Sequence, residues 1–270
     1  MKLRFSPLQV FKSSKTPAGL YARQKWLGES ATRQWKNDFQ ETVTKLMADQ
    51  ASDGSWQQSE VETIARLFGL HLTVREASAQ IEAALKWLFG KIDLQSAKNQ
   101  FDAKENIIKE TPEGLPFICS RRGMFLMGAI LFLASIFNRH DDPFVLDRYS
   151  WLSSVGIRNK GIWIDPASSH NVFRALVVHP IYSKDPATSL FVEYLADIQT
   201  ESGDWGDYLP FYQIMNALAH LNFPLADNQL EKAFARLVKT QNEDGSWADT
   251  GSEWNTFLAV HALKNKGLYY

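Results

Sequence analysis

The stretch Gln241-Asn-Glu-Asp-Gly-Ser-Trp247 decides how this chain is read, because its pattern is written several times. Its centre, Gly-x-Trp, occurs as Gly54-Ser-Trp56, Gly161-Ile-Trp163, Gly203-Asp-Trp205 and Gly245-Ser-Trp247. Trp163, Trp205 and Trp247 follow one another at equal steps. A fixed period of about 40 residues is the mark of repeat architecture. In three copies a glutamine stands six residues before the tryptophan (Gln50, Gln199, Gln241). In three an aspartate stands two residues after it (Asp165, Asp207, Asp249).

Working outward, both flanks of the motif carry apolar residues at helical spacing. Leu190-Phe-Val-Glu-Tyr-Leu-Ala196 precedes one copy and Lys232-Ala-Phe-Ala-Arg-Leu-Val238 the next. After the tryptophans come Val61 to Leu72, Val172 to Val178, Phe211 to Leu221 and Phe257 to Leu263. Each unit therefore reads as helix, glycine turn, helix. The spacing predicts inner helices near 17–27, 59–72, 120–138, 168–179, 209–222 and 253–265, with outer helices near 31–49, 75–90, 143–155, 186–198 and 227–240. Cap signals mark their starts: Thr16-Pro17, Asp142-Pro143, Asp185-Pro186, and the boxes Ser59-x-x-Glu62 and Thr73-x-x-Glu76. Asp165, Asp207 and Asp249 are expected to cap inner helices. Eleven helices leave six hairpins one helix short. The third unit is irregular, with Gly114-Leu-Pro116 in place of the motif and a polar surplus from Lys91 to Pro116. Loops of that length are often functional, so the surplus is a candidate lid or protein-partner surface, with plain disorder as the alternative.

The even period argues for one domain over residues 1–270. Hydrophobic content of 45% and a net charge of −1 fit a globular chain with a substantial core and give no reason to expect nucleic acid. The basic N-terminal stretch reads as a solvated face. A single cysteine, Cys119, excludes an intramolecular disulfide and a cysteine-based zinc cluster, and its neighbours Phe117 and Ile118 suggest a small buried filler. The most apolar run, 123–137, is too short to span a bilayer, and no secretory signal opens the chain, so the expected location is cytoplasmic.

With Gln50, Gln199 and Gln241 ending outer helices before Gly-x-Trp, the pattern resembles the QW repeat of the terpenoid cyclase and protein prenyltransferase families. The resemblance covers roughly residues 40–266. It implies an all-α fold, an α/α toroid of about six helical hairpins around a central cavity. It also implies an apolar or isoprenoid-like ligand there, and, for an enzyme, a lyase, isomerase or transferase. The families' catalytic motifs are missing. No Asp-x-Asp-Asp occurs, and the lone Asp141-Asp142 precedes Pro143 as a helix cap. No Asp-x-Cys surrounds Cys119, so no catalytic zinc, and no other cofactor, is expected. The catalytic residues are unassigned.

Binding residues are sought where polar groups interrupt apolar inner helices. Arg66 and Arg174 follow Trp56 and Trp163 at spacings that differ by a single position, and so lie at similar depth. A buried guanidinium needs a carboxylate, a carbonyl array or an anionic ligand. Glu62 or Glu60 is the internal alternative. His71, His179, His220 and His261 follow their tryptophans at nearly constant spacing, either as a rim of functional groups or as helix C-terminal contacts. His170 sits one turn before Arg174, and Tyr212 and Trp254 add aromatic faces to the inner helices. A non-catalytic protein-interaction scaffold and a carbohydrate-active lyase or hydrolase stand as alternatives. A filled centre favours the scaffold, an aromatic pocket a lipid, and a groove with carboxylates a sugar.

Overall fold

The computed structural model describes residues 2–92 and 106–269. Among them the chain is all-α: eleven α-helices, three short 3-10 turns, two isolated bridges and no strand. The helices are α1 (Pro17–Lys25), α2 (Arg33–Met47), α3 (Glu60–Thr73), α4 (Ala79–Phe89), α5 (Arg122–Ile136) and α6 (Pro143–Arg158). Then follow α7 (Pro166–Val178), α8 (Pro186–Ile198), α9 (Phe211–Leu218), α10 (Pro224–Thr240) and α11 (Ser252–Asn265). The odd-numbered helices touch in cyclic order: α1 packs on α3, α3 on α5, α5 on α7, α7 on α9, α9 on α11, and α11 returns to α1. The even-numbered helices back them. Among these central helices α5 is apolar on every side and buried from Met124 to Ser135, as a helix enclosed by neighbours must be. Gly128 lets α7 come close; a Cβ there would lie 2.3 Å from the Asn171 carbonyl oxygen.

The repeat motif is a joint between units. Trp56, Trp163 and Trp247 are fully buried and Trp205 nearly so. Three indole N–H groups end on carbonyls of the preceding outer helix or its C-cap: Ala48, Leu152 and Leu237. The glutamine side chain spans two units. Gln199 Nε2 donates to Gly203 O of its own turn and, at 2.9 Å, to Gln229 O of the next outer helix. Gln50 does the same with Gly54 O and Gln80 O. In the last copy Gln241 reaches Gly245 O and then the N-terminal segment. It donates to Phe5 O at 3.0 Å and accepts from Arg4 N and Phe5 N. Gly203 and Gly245 hold φ of 88°, where only glycine rests without strain. A Cβ on Gly245 would lie 2.3 Å from Ser6 O. The N-terminal segment thus meets the last turn as the next outer helix meets the turn at Gly203, and its 3-10 turn Pro7–Phe11 packs on α1 and α11.

The caps Thr16, Ser59, Asp142, Asp165 and Asp185 all accept from first-turn N–H groups. Four expectations need correction. Thr73 is the last residue of α3, its hydroxyl donating to Gly69 O, and Ser78 caps α4 instead. Asp207 and Asp249 do not cap α9 and α11, whose N-caps are Pro210 and Gly251. A hydroxyl inside the inner helix serves the turn at three copies: Trp56 N, Trp163 N and Trp247 N donate to Thr63, Ser169 and Thr256. Cys119 is exposed, not a core filler. Finally, α10 starts at Pro224, because proline fits a first helical turn.

Of the surplus between Lys91 and Pro116, residues 93–105 lie outside the described residues. Its described end is largely exposed but tied to the start of α5 by backbone hydrogen bonds, Ile108 N donating to Ser120 O and Arg122 N to Asn106 O. No helix among the described residues is long and apolar enough to cross a membrane.

Candidate functional site

All six central helices contribute to one cavity of about 380 Å³. Tyr21 comes from α1, Phe68 and His71 from α3, Phe132 from α5, Arg174 from α7, Asn216 from α9, and Trp254 and His261 from α11. Part of its wall is an aromatic stack. Phe257 lies parallel to Trp254 at 5.3 Å, against Trp26 at 5.2 Å and against His261 at 5.8 Å. Phe68 meets Trp254 edge-on at 5.9 Å. These two rings and Leu72 also bound a second cavity of about 400 Å³ beside Thr16, Glu113 and Glu253. Trp254 is anchored there by its indole N–H to Leu115 O, 3.2 Å.

The charge in the first cavity is one-sided. Its lining contains Arg75, Arg174, His71, His220 and His261, and no aspartate or glutamate. Arg174 is 3% exposed, and its only hydrogen bond among the described residues runs from NH1 to Asn216 Oδ1 at 3.0 Å. Its Nε has no partner. Burial alone pulls this guanidinium down to about 9. Arg75 lies past the end of α3 in left-handed backbone (φ 66°), a conformation that costs a non-glycine residue about 1–2 kcal/mol. Its guanidinium sits 4.6 Å from the centre of the Tyr21 ring, and its buried NH2 has no partner. The buried Nδ1 of His71 also lacks one. Burial, then Arg75 and His261, push His71 down to about 4. Burial, then Arg174 and Arg75, do the same to His261. His220 is open to solvent at the mouth, 5.4 Å from the His261 ring.

Several sequence candidates lie elsewhere. Arg66 does not face the cavity. Its Nε pairs with Glu62 at 2.7 Å, and its NH1 caps the end of α2 through the carbonyls of Lys45, Leu46 and Ala48. One residue of offset explains the difference, since each step turns a helix by about 100°. Glu60 pairs with Arg122 instead. His179 caps the end of α7: Nε2 donates to His140 O, and Nδ1 accepts from Ile181 N and Tyr182 N. His170 holds the loop before α5, donating from Nε2 to Pro116 O at 3.1 Å, with burial driving it down to about 3. Tyr212 packs on Phe211 and does not line the cavity. The cavity therefore gathers Arg174, His71, His220, His261 and Trp254. The sequence reading passed over Arg75 and Asn216.

Asn216 carried a signal. Arg174, Asn216 and Leu258 occupy the same place relative to Trp163, Trp205 and Trp247. Asn216 bonds to both of the others, each 42 positions away in sequence. Equivalent positions of successive units thus meet around the cavity.

Among the described residues no group of three or more histidine, cysteine, aspartate or glutamate side chains is placed to hold a metal ion. No protein family and no curated protein matches the chain. In fold it is similar to a crystal structure of a protein from Actinoplanes. The two share 16% sequence identity at a TM-score of 0.57, over 96% of this chain and 89% of that one. A likeness at that identity concerns the fold alone.

Proposed function

We propose that the cyclic packing is an α/α toroid of the terpenoid cyclase and prenyltransferase kind, and that its central cavity binds a small apolar, isoprenoid-like molecule carrying an anionic head. The observation that carries this reading is Arg174, a buried guanidinium with an unpartnered Nε and no carboxylate beside it. An uncompensated buried charge costs several kcal/mol, and an oxyanion reaching this guanidinium from the cavity would offset that cost with a charge-assisted hydrogen bond. The aromatic stack supplies the surface for the apolar part. The volume of about 380 Å³ falls at the lower end of ordinary ligand pockets. An unfilled centre speaks against a pure scaffold, and a lining without carboxylates speaks against glycoside hydrolysis, which works through paired acids.

Thermal unfolding with a short alkyl phosphate tests the reading. Saturation at a hundredfold excess over Kd stabilises the native state by about 2.7 kcal/mol. Arg174→Met is expected to abolish that gain without lowering intrinsic stability, because the desolvation penalty leaves with the charge. No stabilisation of the wild type, or strong destabilisation by Arg174→Met, would defeat the proposal.

A further inference from the structure

Asn216 is placed so that its orientation admits one solution. Its Oδ1 faces Arg174 NH1, which can only donate, and its Nδ2 faces Leu258 O at 3.2 Å, which can only accept. An exchange of oxygen and nitrogen would set donor against donor and acceptor against acceptor. The second hydrogen on Nδ2 points to His261 Nδ1, 3.2 Å away, so that ring nitrogen must accept. Asn265 Nδ2 approaches the same nitrogen at 3.4 Å. With the fixed Asn216 amide donating to Nδ1, the ring proton resides on Nε2.

We propose that Asn216 is a positioning residue: fixed by Arg174, it locks His261 as a neutral ring with its proton on Nε2, so that the cavity meets an anion with permanent donors rather than a titrating cation. The lock rests on the hydrogen-bond geometry, and its use in anion recognition rests on the function proposed above. A second proton on His261 would have to enter at Nδ1, against the Asn216 amide hydrogens. Relief by turning the amide would drive its NH2 into Arg174. The groups facing His261 reinforce this. Tyr21 lies on α1, His71 and Arg75 on and after α3, Arg174 on α7, and His220 follows α9. The α5 wall, Phe132 and Ile136, is uncharged, and no carboxylate lines the cavity to support an imidazolium. Burial and the two arginines act in the same direction, holding His261 down to about 4.

The test is a proton NMR titration of the histidine rings without ligand, with the His261 signal identified by its loss in His261→Gln. In the wild type that signal should not move between pH 8 and 5. Asn216→Asp keeps the shape but places an acceptor against both Arg174 and Nδ1. His261 should then titrate with a midpoint raised above about 6.5, the ordinary value. A wild-type midpoint near 6.5, or a silent His261 in Asn216→Asp, overturns the lock. Octanesulfonate, whose charge is constant over this range, reads the functional half by calorimetry. The variant's new carboxylate neutralises Arg174 at pH 8, so affinity should fall at least about tenfold there and recover towards pH 5 as His261 gains its proton, about 1.4 kcal/mol per tenfold. Equal affinity in both proteins at pH 8 would detach Asn216 from recognition. Failure of octanesulfonate to bind the wild type at any pH would sink the proposed ligand, while the NMR result would still decide the lock.

Discussion

Two buried arginines are treated in opposite ways. Arg23 on α1 is 1% exposed, and its guanidinium is saturated by Glu29 at 2.7 Å, Asp38 at 2.8 Å and the Ser14 carbonyl at 3.0 Å. Arg174, 3% exposed, has one amide oxygen. Their titration diverges accordingly. Burial works against the charge on Arg23, but the bonds to Glu29 and Asp38 outweigh it and the group is raised. At Arg174 burial acts unopposed. This fold can neutralise an internal guanidinium where the charge serves as a strut. The central cavity sets no carboxylate beside Arg174, and an anionic ligand as proposed above would supply the missing partner.

The contrast can be broken by substitution. Arg23→Met leaves Asp38, 6% exposed, with only Lys15 at 3.2 Å, and Glu29 without its partner. Removing one member of a buried pair costs about 3–5 kcal/mol, and urea unfolding should read a loss in that range. An equal loss in Arg174→Met would erase the distinction. Arg66→Met should fall between the two. It gives up a charged pair and the α2 carbonyl cap at a half-buried site, about 1.5–3 kcal/mol.

Acid sharpens the comparison. His71 and His261 are held down to about 4 and His170 to about 3, whereas unfolded histidines protonate near about 6.5. Between about pH 6.5 and 4 the unfolded state thus binds more protons, and stability falls as pH falls, by up to about 1.4 kcal/mol per pH unit for each such histidine. Asp38, lowered chiefly by its bond to Arg23, contributes stability that is lost only as pH drops below the ordinary carboxylate range and through its depressed value. Unfolding midpoints measured from pH 7 to 4 should therefore decline less steeply in His261→Gln than in the wild type. An identical slope would remove His261 from the account.

What the sequence made legible follows from local physics. Glycine at positive φ, a tryptophan to bury and a capping side chain before a proline act within a few residues, so helix starts at Pro17, Pro143 and Pro186 and the four turns could be read directly. Arg75 could not, because it lies beyond the end of α3 and reaches the cavity only through a left-handed residue that no periodicity announces. Arg66 and Arg174 share a depth along their helices but differ by about 100° of rotation, which sets one towards α2 and the other into the cavity. Asn216 is legible only through the repeat, because its partners lie one period away on either side.

The joint between Gln241 and residues 4–5 bridges 236 and 237 positions of sequence, nearly the length of the chain. Every other glutamine joint closes a loop of about 30 residues within or between adjacent hairpins. Loop-closure entropy grows with the logarithm of length, and segments emerge from synthesis in order. Of the three glutamine joints this one therefore carries the largest closure cost, and during synthesis Arg4 and Phe5 cannot pair with Gln241 before the last Gly-x-Trp turn has emerged.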